Sequence, residues 1–92
     1  MKYKIKFTTS FKKDLKLAKK QGKDIDKLFE LVEKIAKDER LDEKFRDHSL
    51  AGNYKGTREC HIEPDFLLLY EKFEEILVLS LVRTGSHADL FK

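Results

Sequence analysis

Ninety-two residues suffice for one domain (1–92) with a single core, and a chain this short buries only about 60–65% of the surface its unfolded form exposes. The 40% hydrophobic content can build that core, no stretch approaches the ~20 apolar residues of a membrane span, and one cysteine excludes an internal disulfide. The net charge is only +3, yet residues 1–23 hold nine lysines against Asp14 alone, so the first quarter is strongly basic and the rest acidic. That asymmetry suits a polyanion or an acidic partner, or a lysine-rich helix face turned to water.

Tyr3, Ile5 and Phe7 alternate with Lys2, Lys4 and Lys6, the period of a half-buried strand. No signal-peptide apolar block stands there, and with the lone cysteine this places the chain in the cytoplasm. Thr8, Thr9 and Ser10 offer capping oxygens. Phe11, Leu15 and Ala18 then make a narrow apolar helix stripe, with Lys12, Lys13, Lys16, Lys19 and Lys20 on its other sides. Gly22 is the natural stop. Asp24 caps a second helix, where Ile25, Leu28, Phe29, Val32, Ile35 and Ala36 follow the 3.6-residue period and Leu31 widens the stripe. The short turn between the helices predicts an antiparallel hairpin. Residues from Phe45 to Gly52 read as an ordered loop. Three strands follow, Lys55 to Ile62, Phe66 to Phe73 and Ile76 to Arg83, joined by a turn at Pro64 and by Glu74-Glu75. The last run is apolar at nearly every position, so it belongs inside the sheet, with the N-terminal strand as the available extra neighbour. Ser86 to Phe91 is a short helical turn. This order gives a two-layer α+β domain: an N-terminal strand, a helix hairpin on one sheet face, then a three-stranded antiparallel meander.

The polar groups gather at strand ends. His48, His61 and His87 all sit beside turns, and Asp65 and Arg83 join them. Cutting RNA needs a base for the 2′-hydroxyl, an acid for the leaving 5′-oxygen and a cation against the phosphorane charge. Imidazole serves either proton role near neutrality, and arginine offers phosphate a planar fork. Tyr54, Phe66 and Phe91 are candidate stacking surfaces for unpaired bases, with Arg58 a further RNA contact. Each has a plainer reading. A histidine near a turn is often a surface residue, Asp65 is good turn chemistry, Arg83 can pair with a carboxylate, and Phe66 suits a core. Three histidines and an aspartate are also zinc ligands, but no two histidines have the close spacing of a helical or hairpin zinc site, so no metal is assigned. Cys60 reads as core.

Several segments together resemble the YafQ-like branch of the RelE/ParE toxin superfamily. They are Phe11-Lys12-Lys13-Asp14-Leu15-Lys16, Asp47-His48-Ser49-Leu50-Ala51-Gly52, the run from Lys55 through His61-Ile62-Glu63-Pro64-Asp65 to Tyr70, and Arg83-Thr84-Gly85-Ser86-His87-Ala88-Asp89-Leu90-Phe91. The resemblance covers essentially the whole chain. It implies a largely antiparallel sheet with the first strand beside the last. It also implies a metal-independent, ribosome-dependent mRNA endonuclease without cofactor, monomeric when free and held inactive by a cognate antitoxin. The residues it implies for catalysis are His48, His61, Asp65, Arg83 and His87, with Phe91 and Phe66 against bases. Phe66 stands where tryptophan is common, which keeps the ring and loses the indole donor. His87 is then the general acid, Asp65 or His48 the base, His61 an orienting group and Arg83 the phosphorane clamp. The basic first helix, through Lys12, Lys13 and Lys16, fits ribosomal RNA backbone or an acidic antitoxin segment. Two other readings stay open: a ParE-like gyrase inhibitor, which lacks this histidine set, and a non-catalytic nucleic-acid-binding module.

Overall fold

A computed structural model describes residues 2–91. The chain runs β1 (Lys4–Phe7), α1 (Thr9–Lys20), α2 (Ile25–Ala36), β2 (His48–Ser49), β3 (Arg58–Glu63), β4 (Phe66–Phe73), β5 (Val78–Gly85) and α3 (His87–Leu90). The five strands form one sheet in the order β1-β5-β4-β3-β2. Only β1 runs parallel to its neighbour, pairing Lys4 with Val78 through Phe7 with Leu81; the other pairings are antiparallel. The last strand is therefore interior, as its unbroken apolar run requires.

Local chemistry sets the helix ends. The Thr8 hydroxyl accepts from the Phe11 N–H at 3.0 Å and caps α1. Beyond Lys20, Gly22 takes φ +74°, and the N–H of Lys23 reaches back to the Ala18 carbonyl at 3.0 Å, closing the helix. Asp24 caps α2 in the same manner through the Lys27 N–H. The end of α2 repeats the left-handed device without glycine, since Asp38 adopts φ 64°.

The apolar stripes meet the sheet where the periodicity places them. Phe11 and Ala18 of α1, and Leu28, Leu31, Val32, Ile35 and Ala36 of α2, pack with Cys60, Ile62, Phe66, Leu68, Tyr70, Leu79 and Leu81. Residues 66 to 70 are at most 1% exposed on either face. On the opposite face a smaller cluster of Leu67, Leu69 and Leu90, joined by Leu50, Tyr54 and Val82, lies under α3. Burial pushes the Cys60 thiol up to about 12, which leaves it an inert core group.

The strand limits need correction. β3 begins at Arg58, not Lys55, because Gly52–Tyr54 forms a one-turn helix and Gly56 bends at φ +93°. β5 begins at Val78 because Leu77 takes φ 52° in a four-residue turn, where Ile76 is 69% exposed. It runs on to Gly85 with an irregularity: Leu69 pairs with Arg83 and Tyr70 with Leu81, so Val82 is the extra residue. The Thr8 hydroxyl donates to the Val82 carbonyl at 2.7 Å and satisfies the group the bulge releases. The expected loop around His48 contains β2, which pairs His48 with Glu59 and Ser49 with Arg58.

Asp38 also ties the first residues to the sheet. Its carboxylate accepts from Lys2 and from Lys72, both at 2.8 Å, and the hydrogen bond from Lys2, followed by that from Lys72, lowers it from 3.8 to about 2. A carboxylate depressed in the folded state stabilises above its unfolded value and stops doing so as pH falls through its folded value. The stability difference between the wild type and Asp38→Asn is therefore expected to hold from neutrality to about pH 4 and to vanish near pH 2. Asparagine tolerates the left-handed backbone, so urea midpoints across that range isolate the charge.

Candidate active site

β3 and β4 are joined by Pro64 and Asp65, and neither needs a positive φ, as suits a turn opened by proline. The register shift between His61 and Glu63 absorbs the turn's mismatch with the strands. Residues 59 and 61 share the sheet face opposite α1 and α2, while Arg58, Cys60 and Ile62 turn toward the helices. Antiparallel pairing sets His48 across from Glu59 on that same face. At the far end, Gly85 holds φ +149°, and a Cβ there would meet Asp89 at 3.4 Å, so glycine lets α3 fold back tightly. Ser86 and Asp89 form a reciprocal cap that fixes the start of α3, with His87 as its first residue.

The three histidines consequently meet. Glu59 Oε1 stands 3.1 Å from Nε2 of both His48 and His61. The His61 ring lies 5.6 Å from that of His87, and the His48 ring 6.4 Å from that of His61. Asp65 Oδ1 accepts twice from His87, at 3.0 Å from the backbone N–H and 2.7 Å from Nδ1. The backbone bond first, and the ring bond second, hold the Asp65 carboxyl below its ordinary value. Phe91, 39% exposed, lies 6.4 Å from the His87 ring, and Tyr54 meets Phe91 edge-on at 5.5 Å. The group forms an open surface, not an enclosed pocket, and so admits a long polymer. Beside His61 a hollow of about 400 Å³ is lined by Lys27, Lys44 and Arg46 together with Glu63, so cationic groups outnumber the one carboxylate along that approach.

Three sequence expectations change. Phe66 is fully buried in the helix-side core, with Lys23 Nζ 5.9 Å from its ring, so it offers no surface to a base. Arg58 faces away from the histidines: its Nε bonds Asp47 at 3.2 Å and Nη1 bonds Ser49 at 2.9 Å. Tyr70 donates to the same Asp47 oxygen at 2.6 Å, and burial first, then that bond, pushes its phenol up. Arg83 makes no hydrogen bond to the histidines. β1 ends opposite Leu81, and along the freed edge of β5 Asp14 of α1 receives Arg83 Nε at 2.6 Å and Nη2 at 3.1 Å. This pairing raises the Arg83 guanidinium further and leaves Nη1 without a partner among the described residues. Lys12, Lys13 and Lys16 are exposed on α1, in the helix layer.

Glu59 and the Lys27, Lys44 and Arg46 wall were missed. Glu59 lies two residues before His61, so strand period alone puts it on the same face. The basic wall has no local signal, because it joins α2 to the loop after it. Spacing along the chain gives no close ligand pair, yet across two strands His48, Glu59 and His61 bring ligand atoms within 4.8 Å of one another.

Comparison with known proteins agrees with this layout. The mRNA interferase toxin YafQ of Escherichia coli strain K12 is 39% identical over 88 residues, spanning 95% of this chain and 94% of that protein. The crystal structure of YafQ from E. coli strain BL21(DE3) superposes with a TM-score of 0.91 at 36% identity, over 98% of this chain and 99% of that one. A metal-bound toxin from Helicobacter pylori gives 0.90 at 42% identity, over 97% and 99%. The E. coli DinJ-YafQ toxin–antitoxin complex gives 0.88 at 36% identity, covering 100% of each chain. A family model described as the bacterial toxin of type II toxin–antitoxin system, YafQ, matches residues 3–92. With the whole described fold and nearly the whole sequence in agreement, the chain belongs to the YafQ toxin family.

Proposed function

We propose that this protein is the toxin of a type II toxin–antitoxin system and cuts mRNA on the ribosome by metal-independent acid–base chemistry. The observation that carries the reading is the meeting of His48, His61 and His87 with two carboxylates, Glu59 and Asp65, on one open face. The similarity to a protein named an mRNA interferase supports it.

The chemistry follows from the hydrogen bonds. Asp65 accepts from Nδ1–H of His87, which turns Nε2 outward. His87 is then the general acid, and Asp65 orients it instead of serving as a base. His48, Glu59 and His61, bridged at Glu59 Oε1, together form the base. The 2′-oxygen of the substrate gives its proton to this base and attacks phosphorus. The bond to the 5′-oxygen breaks, and that oxygen receives the proton of His87. Lys27, Lys44 and Arg46 offset phosphate charge, and Arg83, steadied by Asp14, presents Nη1 to it. Phe91 supplies the ring on which a base stacks, with Tyr54 bracing it. The lysines of α1 contact ribosomal RNA backbone.

Purified protein is expected to cut a reporter mRNA in a reconstituted translation reaction and to leave the same RNA intact without ribosomes. The upstream fragment is expected to end in a 2′,3′-cyclic phosphate or a 3′-phosphate. Fragments ending in a 3′-hydroxyl would overturn this chemistry, and cutting of free RNA at the same rate would overturn the ribosome requirement. A cognate antitoxin binds this protein, a reading supported by the relative crystallised as a DinJ-YafQ complex, and amide shifts on adding it are expected to fall on the cluster around His87 and Arg83.

A further inference from the structure

We propose that Asp47, Arg58 and Tyr70 are positioning residues for cleavage: from the helix side of the sheet they pin β2, and so hold His48 against Glu59 on the opposite side. The catalytic half rests on the function proposed above; the pinning of β2 does not.

His48 is the histidine that the fold secures least. His61 sits within the six residues of β3, and His87 is fixed by Asp65 and by the cap of α3. His48 lies on a strand of two residues, both exposed, shortly after Arg46 turns the chain at φ 50°. Phe45 and Leu50 pack against apolar clusters before and after it, yet neither adjoins it. A strand this short has too few ladder bonds to fix its own place.

The missing constraint comes from the other face. Antiparallel pairing lines up Ser49 with Arg58, and Arg58 with Tyr70, in one row across three strands. Side chains alternate along a strand, so Ser49 joins that row while His48 joins the row of Glu59 on the far face. Arg58 grips both flanks of His48: Nε donates to Asp47 Oδ1 at 3.2 Å and Nη1 to Ser49 Oγ at 2.9 Å. Tyr70, whose ring is locked in the core, donates its hydroxyl to the same Asp47 oxygen at 2.6 Å. A short bond from an immobile ring to a charged acceptor is a strong tether. With the residues immediately before and after it held, His48 has little backbone freedom left.

Asp47, Arg58 and Tyr70 border a hollow of about 610 Å³ on the helix side and make no hydrogen bond to the histidines. Their effect on cleavage therefore passes through His48. Its Nε2 meets Glu59 Oε1 at 3.1 Å, and moving a catalytic group by about 1 Å can cost roughly 100-fold in rate.

The test combines cleavage kinetics on ribosomes with amide hydrogen exchange, both on the full-length protein. Tyr70→Phe keeps the buried ring and removes only the hydroxyl, and Asp47→Ala opens no sealed void because Asp47 borders the hollow. The expected fall is about 10-fold in Tyr70→Phe and ~100-fold in Asp47→Ala, in kcat with KM unchanged. Asp47→Asn keeps the oxygen that both donors share and is expected to recover cleavage to within about threefold of wild type. Arg58→Lys keeps the positive charge but loses the fork, and is expected to lower kcat about tenfold, whereas a contact to RNA through charge alone would survive it. In a His48→Ala background none of these substitutions is expected to cost anything further. The Leu50 amide, bonded to the Thr57 carbonyl at 2.9 Å, reports on the end of β2. Its exchange is expected to quicken about tenfold in Tyr70→Phe and Asp47→Ala, with α2 unchanged. Wild-type kcat in both variants, or an undiminished further loss on top of His48→Ala, would overturn the positioning role. Unchanged exchange at Leu50 would overturn the pinning of β2. Wild-type protein that never cuts mRNA would defeat the proposed function instead, with exchange at Leu50 still deciding the pinning.

Discussion

Replacing His87 by alanine is expected to slow mRNA cleavage about 10²–10⁴-fold, the usual contribution of a positioned proton donor. The same change is expected to leave the fold intact. The imidazole is half exposed, at the first position of a short helix whose cap is made by Ser86 and Asp89. Alanine suits that position, and exposed substitutions of this kind usually fall within about 0.5 kcal/mol, a few degrees of melting temperature in a domain of this size. Asp65→Asn separates orientation from charge. The amide oxygen can still accept from Nδ1–H, but the negative charge beside the ring is gone. Its cleavage is expected to fall less than that of His87→Ala, because the ring keeps its orientation. Cleavage by His87→Ala within about threefold of wild type at equal ribosome binding would remove His87 from the chemistry.

Phe66→Ala is expected to lower stability by about 3–5 kcal/mol, the cost of emptying a large buried aromatic site. Global stability in small domains is itself only about 5–15 kcal/mol, so this variant approaches the folding limit. Chemical denaturation measures the loss directly. What survives folded is expected to bind and cut RNA with wild-type parameters, because the Phe66 ring is inside the helix-side core. Phe91→Ala should invert the pattern, with little loss of stability and weaker cleavage, since that ring stands exposed beside His87. Normal melting of Phe66→Ala combined with lost RNA binding would return Phe66 to the base-contacting role that the family resemblance implied.

The contrast between those two rings shows what the chain reveals by itself. Periodicity alone located both helices and the interior strand, because an apolar stripe or run has one sensible place to go. It could not tell which face of a doubly buried strand Phe66 would take, since every residue from Phe66 to Tyr70 is apolar. His61, Asp65 and His87 were legible as a group because a tight turn and a helix start fix them locally. Arg83 was not, because its partner Asp14 lies on α1, and only the early end of β1 lets the two meet. Glu59 was hidden for another reason. Its importance comes from being shared by two histidines, and one of those sits on a two-residue strand too short for any pattern to announce.

The sheet order bears on when this molecule becomes dangerous during its own synthesis. β1 emerges first yet must wait for β5, with which it pairs in parallel, before it has any strand partner. Closing so long a loop is entropically slow and gains nothing until the last strand arrives. The imidazoles on β2, β3 and α3 are gathered only once β5 has docked beside β4. The three imidazoles therefore share one face only once nearly the whole chain has been made.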